Sequence, residues 1–221
     1  AGLLPIALIL LSNKIRAEAP ETFRYFREQG VTLKVISGDD PLTVSAIAGA
    51  AGLEGYEKAV DMSRIAPGTD LRAIAEENTV FGRVSPQQKR ELICALGANG
   101  HTTCMTGDGV NDAPALKTAD VGVAMGGEGS DIAAEAAGIA LIGGDIEKLP
   151  YLCMLARATL KTIRFSIALS MTINLVAIVL SSLGLLTPIT GAIVHNAGSV
   201  FVVLIAALLY DRKLFAAAEK L

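Results

Sequence analysis

Seven residues, Thr106 to Asp112, bring together a hydroxyl, two carboxylates, an amide and two glycines within the longer string MTGDGVNDAPALKTADVGVAMG, Met105 to Gly126. Glycines at 107 and 109 allow a turn that a Cβ would crowd. Asp108 and Asp112 are therefore expected at nearly one point, at the end of a strand. Carboxylates gathered in this way are the oxygen ligands that Mg²⁺ takes, with waters and a substrate phosphate completing its shell. Asn111 can hold those carboxylates or the phosphate without adding charge. Pro114 suits the start of the following helix, where its missing N–H costs little. Any one of these residues could belong to an acidic surface turn, but the string as a whole argues for phosphate chemistry.

The elements that must position these groups read as a βαβ rhythm. Leu3 to Leu11 is a continuous apolar run suited to a buried parallel strand. Ala17 to Gln29 predicts a helix stopped by Gly30. Val31 to Ser37 is a β-branched strand whose end delivers Ser37, Gly38 and Asp39, where open α/β sheets place their ligands. Asp40-Pro41 opens another helix that stops near Gly52. One short strand and one helix are expected between Leu53 and Asn78, and a strand over Thr79 to Gly82. Ser85-Pro86-Gln87-Gln88 is a capping box. It places Lys89 in a first helical turn, where a cation opposes the macrodipole unless an anion lies nearby. On that placement Lys89 sits at the helix surface, replaceable at little cost in stability. Beyond the central string, Val121 to Met125 and Ile139 to Ile142 read as strands, separated by a Gly-rich turn at 126–129 and a helix, Asp131 to Ala137. That turn lacks the Lys-Ser/Thr that a phosphate loop requires.

The string MTGDGVNDAPALKTAD resembles the hinge motif of the P-type ATPases, ion pumps that form an aspartyl-phosphate intermediate. Ser37-Gly38-Asp39 resembles the family's TGD, with the hydroxyl kept, and FGRVSPQQK, Phe81 to Lys89, resembles the segment carrying its phosphate-binding lysine. The resemblance covers essentially the whole chain. It implies an α/β fold: a partial haloacid-dehalogenase-like Rossmannoid parallel sheet over residues 1–150, followed by a two-helix transmembrane hairpin over 151–213 and a cytosolic tail over 214–221. It further implies catalytic roles for Ser37, Gly38, Asp39, Lys89 and Asn111, Mg²⁺ at Asp108 and Asp112, and ATP as substrate. Residues 30–90 resemble bacterial pumps of the calcium-type branch, whereas 129–213 resemble the heavy-metal subclass, notably in RATLKTIRFSIAL and VHNAGSVFVV. A subtype uniting these features, or a reading frame joined from two sources, would account for the mixture.

Composition agrees with a two-part chain. The 221 residues are 52% hydrophobic with 19% charged, too apolar for one ordinary soluble domain. Residues 1–150 hold 13 Lys+Arg and 20 Asp+Glu, net −7; residues 151–221 hold 6 and 2, net +4, together the −3 of the whole. An acidic front and a basic tail argue against nucleic acid and fit a soluble domain attached to a membrane piece; the resemblance implies membrane lipid, a transported divalent metal cation and the remaining domains of a pump as partners. Cys94, Cys104 and Cys153 share no C-x-x-C spacing, which leaves reduced thiols as the expectation. Gly2 to Leu11 is too short to span a bilayer and does not read as a signal peptide.

Two apolar runs, about 165–186 and 189–210, each approach the ~20 residues that a bilayer core requires, with Thr187-Pro188 between them. Arg157, Lys161 and Arg164 precede the first and Asp211-Arg212-Lys213 follows the second, while the connection carries no basic residue. The positive-inside rule then predicts an integral membrane protein, of the bacterial plasma membrane by resemblance, with both termini cytosolic. Polar groups within such spans are functional candidates: Asn174 in the first, and His195, Asn196 and Ser199 on one face of the second. Helix–helix hydrogen bonding is the alternative use for them. With Ser170, they suit a borderline or hard divalent ion such as zinc, cobalt, manganese or iron, calcium being the alternative. Copper(I) prefers sulfur, and the spans hold no Cys and only Met171.

No Asp-Lys pair, and hence no D-K-T-G nucleophile motif, occurs in the 221 residues. The leading expectation is the C-terminal part of a cation pump, inactive by itself. The rivals are a membrane-anchored phosphatase of the same superfamily and a catalytically dead fragment acting as a binding module.

Overall fold

The computed structural model describes residues 15–126, 131–143 and 145–208. The expected strand at Leu3–Leu11, most of the turn at 126–129, the basic flank at 211–213 and the tail at 214–221 lie outside them. The chain divides into two units, Ala1–Lys148 and Leu149–Leu221.

In the first unit, strands and helices alternate: α1 (Ala19–Glu28), β1 (Val35–Ile36), α2 (Pro41–Ala50), β2 (Ala59–Asp61), α3 (Arg72–Glu77), β3 (Val80–Gly82), α4 (Pro86–Ala98), β4 (Cys104–Gly107), α5 (Ala113–Thr118), β5 (Val121–Gly126), α6 (Asp131–Ala136) and β6 (Ile139–Ile142). Among the described residues all pairings are parallel, in two three-stranded sheets of order β1-β3-β2 and β4-β5-β6. Parallel strands need crossover connections, which the helices supply. β3 is central to its sheet and buried throughout, with Val80 and Phe81 in the core. Phe81, Met62 and Leu92 anchor one apolar cluster, and Leu116, Ala124 and Met105 another. Ile36 packs against both, so β1 belongs to each core.

One strand differs from expectation for an identifiable reason. The β-branched run 31–37 pairs only at its end, because its partner β3 has three residues: the Val35 amide donates to the Thr79 carbonyl and Ser37 to Phe81. Val31 instead donates to Phe26 and closes α1. β4 extends to Gly107, so Asp108 is the first residue past the strand.

The second unit comprises α7 (Lys148–Ser182) and α8 (Pro188–Ala207). At 1.5 Å per residue α7 is about 52 Å long, well beyond the ~30 Å of a hydrocarbon core. It ends four residues before the expected Leu186. Gly184 takes a left-handed φ of 74°, and the Leu185 amide turns back to the Leu180 carbonyl. Thr187 then caps α8, exchanging bonds with Thr190, with Pro188 at the first position. Both helices are long and apolar enough to cross a membrane. Their large apolar side chains, Leu175, Ile178 and Val203 among them, stand exposed in the chain by itself.

Candidate functional site

The site is built around the turn that follows β4. A short 3₁₀ turn, Val110–Asp112, leads into α5 and folds the Asp112 carboxylate back over Gly107. A Cβ on Gly107 would lie 2.7 Å from the Asp112 side chain, so this glycine is sterically required. Gly109 is different. Its φ of −109° is open to any residue, and a Cβ there would meet nothing nearer than 3.6 Å. The crowding expected of both glycines is therefore real at only one.

Asp112 accepts the Gly109 amide at 3.3 Å with Oδ2 and the Lys89 ammonium at 2.6 Å with Oδ1. Both side chains of that ion pair are nearly enclosed, 12% exposed for Lys89 and 11% for Asp112. The anion that a lysine in the first turn of a helix calls for is thus supplied within the chain. The capping box that fixes α4 is formed as expected: Ser85 accepts the Gln88 amide and Gln88 accepts the Ser85 amide. The expected surface placement of Lys89, with little cost on replacement, does not hold, because its removal strands a nearly buried carboxylate. Asp108 and Asn111 are exposed on the same turn. Oxygen donors of this kind fit Mg²⁺, which binds through one or two carboxylates and keeps waters for the rest. Among the described residues no cluster of three or more His, Cys, Asp or Glu side chains is placed to hold a metal by itself.

Ser37, Gly38 and Asp39 occupy the loop between β1 and α2. The Ser37 hydroxyl accepts the Asp39 amide at 3.2 Å and donates to the Asp39 carboxylate at 3.4 Å, a long bond that an incoming phosphate oxygen could replace. The Val84 amide donates to the Ser37 carbonyl, holding the loop against the residues after β3. Gly38 and Asp39 are exposed.

Sequence reasoning missed Arg83. Its φ of 51° is positive, uncommon for a residue with a side chain. Its amide donates to the Asp39 carbonyl at 2.7 Å, and its guanidinium bridges Asp40 at 2.6 Å and Asp61 at 3.0 Å. One residue thereby ties together the ends of β2 and β3 and the loop carrying Ser37. Its carboxylate partners are 43 and 22 residues distant, so no local signal could have revealed it.

Four carboxyls of this unit lie below their ordinary range. Arg72 hydrogen-bonds Asp70 and holds it at about 2. The Ser63 hydroxyl lowers Asp61, His101 lowers Glu76, and the Thr103 amide and hydroxyl lower Asp120. A carboxyl with a depressed folded pKa contributes stability above its unfolded value, near 4, and loses it as pH falls toward the folded value. These four solvent-screened carboxyls should therefore contribute a modest loss of melting temperature as pH falls from about 4 toward 2. Asp70→Asn and Asp120→Asn should flatten that fall in thermal melts of the detergent-solubilised chain. A melting temperature unchanged at pH 2.5 (roughly mid-window) would contradict this.

In the second unit His195 Nδ1 lies 3.2 Å from Asn174 Oδ1, joining α8 to α7. Ser199 donates to the His195 carbonyl within its own helix, and Asn196 is exposed.

A family profile described as haloacid dehalogenase-like hydrolase matches residues 4–120. The chain is 44% identical over 158 residues to a probable cation-transporting ATPase of Streptococcus pneumoniae, covering 72% of this chain and 20% of that protein. It is 47% identical over 148 residues to the calcium-transporting ATPase CtpE of Mycolicibacterium smegmatis, covering 66% and 18%. A zinc-exporting P-type ATPase of Mycobacterium marinum matches at 32% over 199 residues, 90% and 24%. The calcium-type relative is thus more similar over a shorter stretch, and the zinc exporter less similar over a longer one. The chain spans about a fifth of the length of these curated relatives. With more than half of its residues matched by that profile, the chain belongs to the haloacid dehalogenase-like hydrolase family, and its homologues are cation-transporting P-type ATPases.

Proposed function

We propose that this chain forms the second half of the phosphorylation domain and the last two membrane helices of an ATP-driven cation pump. The observation that carries the reading is the Lys89–Asp112 pair, held at 2.6 Å beside an exposed Asp108 at the end of a parallel strand. Phosphoryl transfer through an aspartyl phosphate needs a carboxylate nucleophile, a hydroxyl on a phosphate oxygen, a balancing cation and carboxylates for Mg²⁺. Ser37, Lys89 and Asp108 supply the last three, with Asn111 and Asp112 supporting the metal end. Mg²⁺, when bound, would neutralise charge on the transferring group. The nucleophile must come from polypeptide beyond these residues, as must the nucleotide-binding surface. Asp112 keeps the Lys89 ammonium extended toward the turn, and an arriving phosphate would then share it.

The transported ion on this reading is a divalent metal cation of borderline or hard character. When His195 carries its proton on Nδ1 and donates it in a hydrogen bond to Asn174 Oδ1, Nε2 is the nitrogen that can bind a metal. Both helices would lie in the bacterial plasma membrane with cytosolic ends, their exposed apolar surfaces covered by lipid and by the pump's other helices. In the complete protein, His195→Ala is expected to abolish stimulation of ATPase activity by a divalent transition metal. Best stimulation by copper(I), or a normal response of the variant to every metal, would overturn the ion assignment.

A further inference from the structure

Arg83 holds a backbone conformation that glycine would hold at less strain. Its φ of 51° lies in the left-handed region, which a Cβ disfavours. Stability alone does not select an arginine there. The guanidinium is about half exposed, and ion pairs in such positions add little to folding. Asp61, the more enclosed of its two carboxylate partners, also accepts the Ser63 hydroxyl at 2.7 Å and pairs with Arg64 at 3.4 Å. Strain retained beside a site is commonly part of how the site works.

The segment around Arg83 clamps the loop that carries Ser37. The Ser37 amide donates to the Phe81 carbonyl at 2.9 Å, and the Val84 amide donates to the Ser37 carbonyl at 3.0 Å. Between those two bonds the Arg83 amide donates to the Asp39 carbonyl at 2.7 Å. Gly82 presses on the far end of the loop, where a Cβ would meet the Pro41 nitrogen at 2.5 Å. The guanidinium closes the clamp by donating to Asp40 Oδ2 at 2.6 Å. Asp40 Oδ1 meanwhile caps α2, accepting the Leu42 amide at 3.0 Å. Backbone bonds thus fix Ser37 on one side. On the other, its exposed neighbours Gly38 and Asp39 are held through Asp40.

The geometry points to Arg83 as a positioning residue for phosphoryl transfer: through Asp40 it holds the 37–40 loop so that the Ser37 hydroxyl meets a phosphate oxygen. This role rests on the reading of Ser37 as the hydroxyl of a phosphorylation site. Arg83 acts on the rate without touching the phosphate. Misplacing a reacting or stabilising group by about 1 Å can cost ~10²-fold in rate. Nucleotide affinity should be spared, because on that reading other polypeptide holds the nucleotide.

The test uses the complete protein and reads single-turnover formation of the acyl phosphate. Arg83→Gly keeps the left-handed backbone and its amide while removing the guanidinium, so it should melt within a few degrees of the parent. At saturating ATP its rate should fall about tenfold or more, with KM for ATP changed by less than about twofold. Inhibition by orthovanadate, a mimic of the transferring phosphoryl group, should weaken about tenfold. Arg83→Lys keeps a charge for Asp40 and should stay within about threefold of the parent rate. Ser37→Ala removes the group being positioned, so Ser37→Ala/Arg83→Gly should be slower than Ser37→Ala by no more than about twofold. Asp40→Asn keeps the cap of α2 and loses the ion pair, and it should reproduce the loss of rate and of vanadate inhibition even where Arg83→Gly folds poorly. A normal rate in Arg83→Gly and Asp40→Asn would overturn the proposal. So would a slowed Arg83→Gly with vanadate inhibition intact, or fold-losses that multiply in the double variant, since either would mark a general structural defect. A parent protein that forms no acyl phosphate contradicts the phosphorylation reading and the proposal together, whereas a phosphorylated parent with unaffected variants contradicts only the proposal.

Discussion

Lys89→Ala is expected to lower phosphoryl transfer in the complete protein by roughly 10²–10³-fold and to weaken the first unit by about 2–3 kcal/mol. The first effect follows from removing a fixed cation aimed at developing phosphate charge. The second follows from the 2.6 Å pair with Asp112, whose carboxylate would be left without its cation while only 11% exposed. The two effects are separable. Lys89→Ala combined with Asp112→Asn removes both charges and keeps an oxygen for the Gly109 amide. It should recover most of the lost stability in urea unfolding without recovering transfer. Near-normal turnover in Lys89→Ala would return the lysine to a structural role.

Gly107→Ala should be nearly as damaging through geometry alone. The added methyl would sit 2.7 Å from Asp112 Cβ and Oδ2, closer than real contacts allow. Neither neighbour is the free end of a flexible chain, since Asp112 is held by Lys89 and Gly109. The carboxylate must shift, at a cost of about 2–3 kcal/mol from overpacking and loss of the pair. Gly109→Ala is the control: with ordinary φ and open space, it should cost less than about 1 kcal/mol. Equal stability of the two variants would contradict the crowding at Gly107.

Much of this site was legible in the sequence because its signals are local. The capping box at Ser85–Gln88, the close approach at Gly107 and Pro114 in the first turn of α5 are each set by residues within a few positions, and all three are present. The helix boundary at Thr187-Pro188 was legible for the same reason. What could not be read depends on contacts between distant segments. The pairing of Lys89 with Asp112 joins residues 23 apart, and it converts an expected surface lysine into one that supports the fold. Arg83 joins Asp40 and Asp61 across three strand ends and is held at a strained φ by that joining. Strand length was equally non-local: the β-branched run at 31–37 promised seven residues, and the short partner β3 allowed two.

The central claim is that these residues complete a phosphorylation site whose nucleophile lies elsewhere in a longer polypeptide. It is tested most directly by incubating the complete protein with radiolabelled ATP and Mg²⁺, quenching in acid and mapping the labelled peptide. The expected result is a hydroxylamine-sensitive acyl phosphate on an aspartate outside these 221 residues, strongly diminished in Lys89→Ala, with no label on the isolated chain. Label on an aspartate within these residues, retained by the isolated chain and lost in Asp108→Asn, would contradict it.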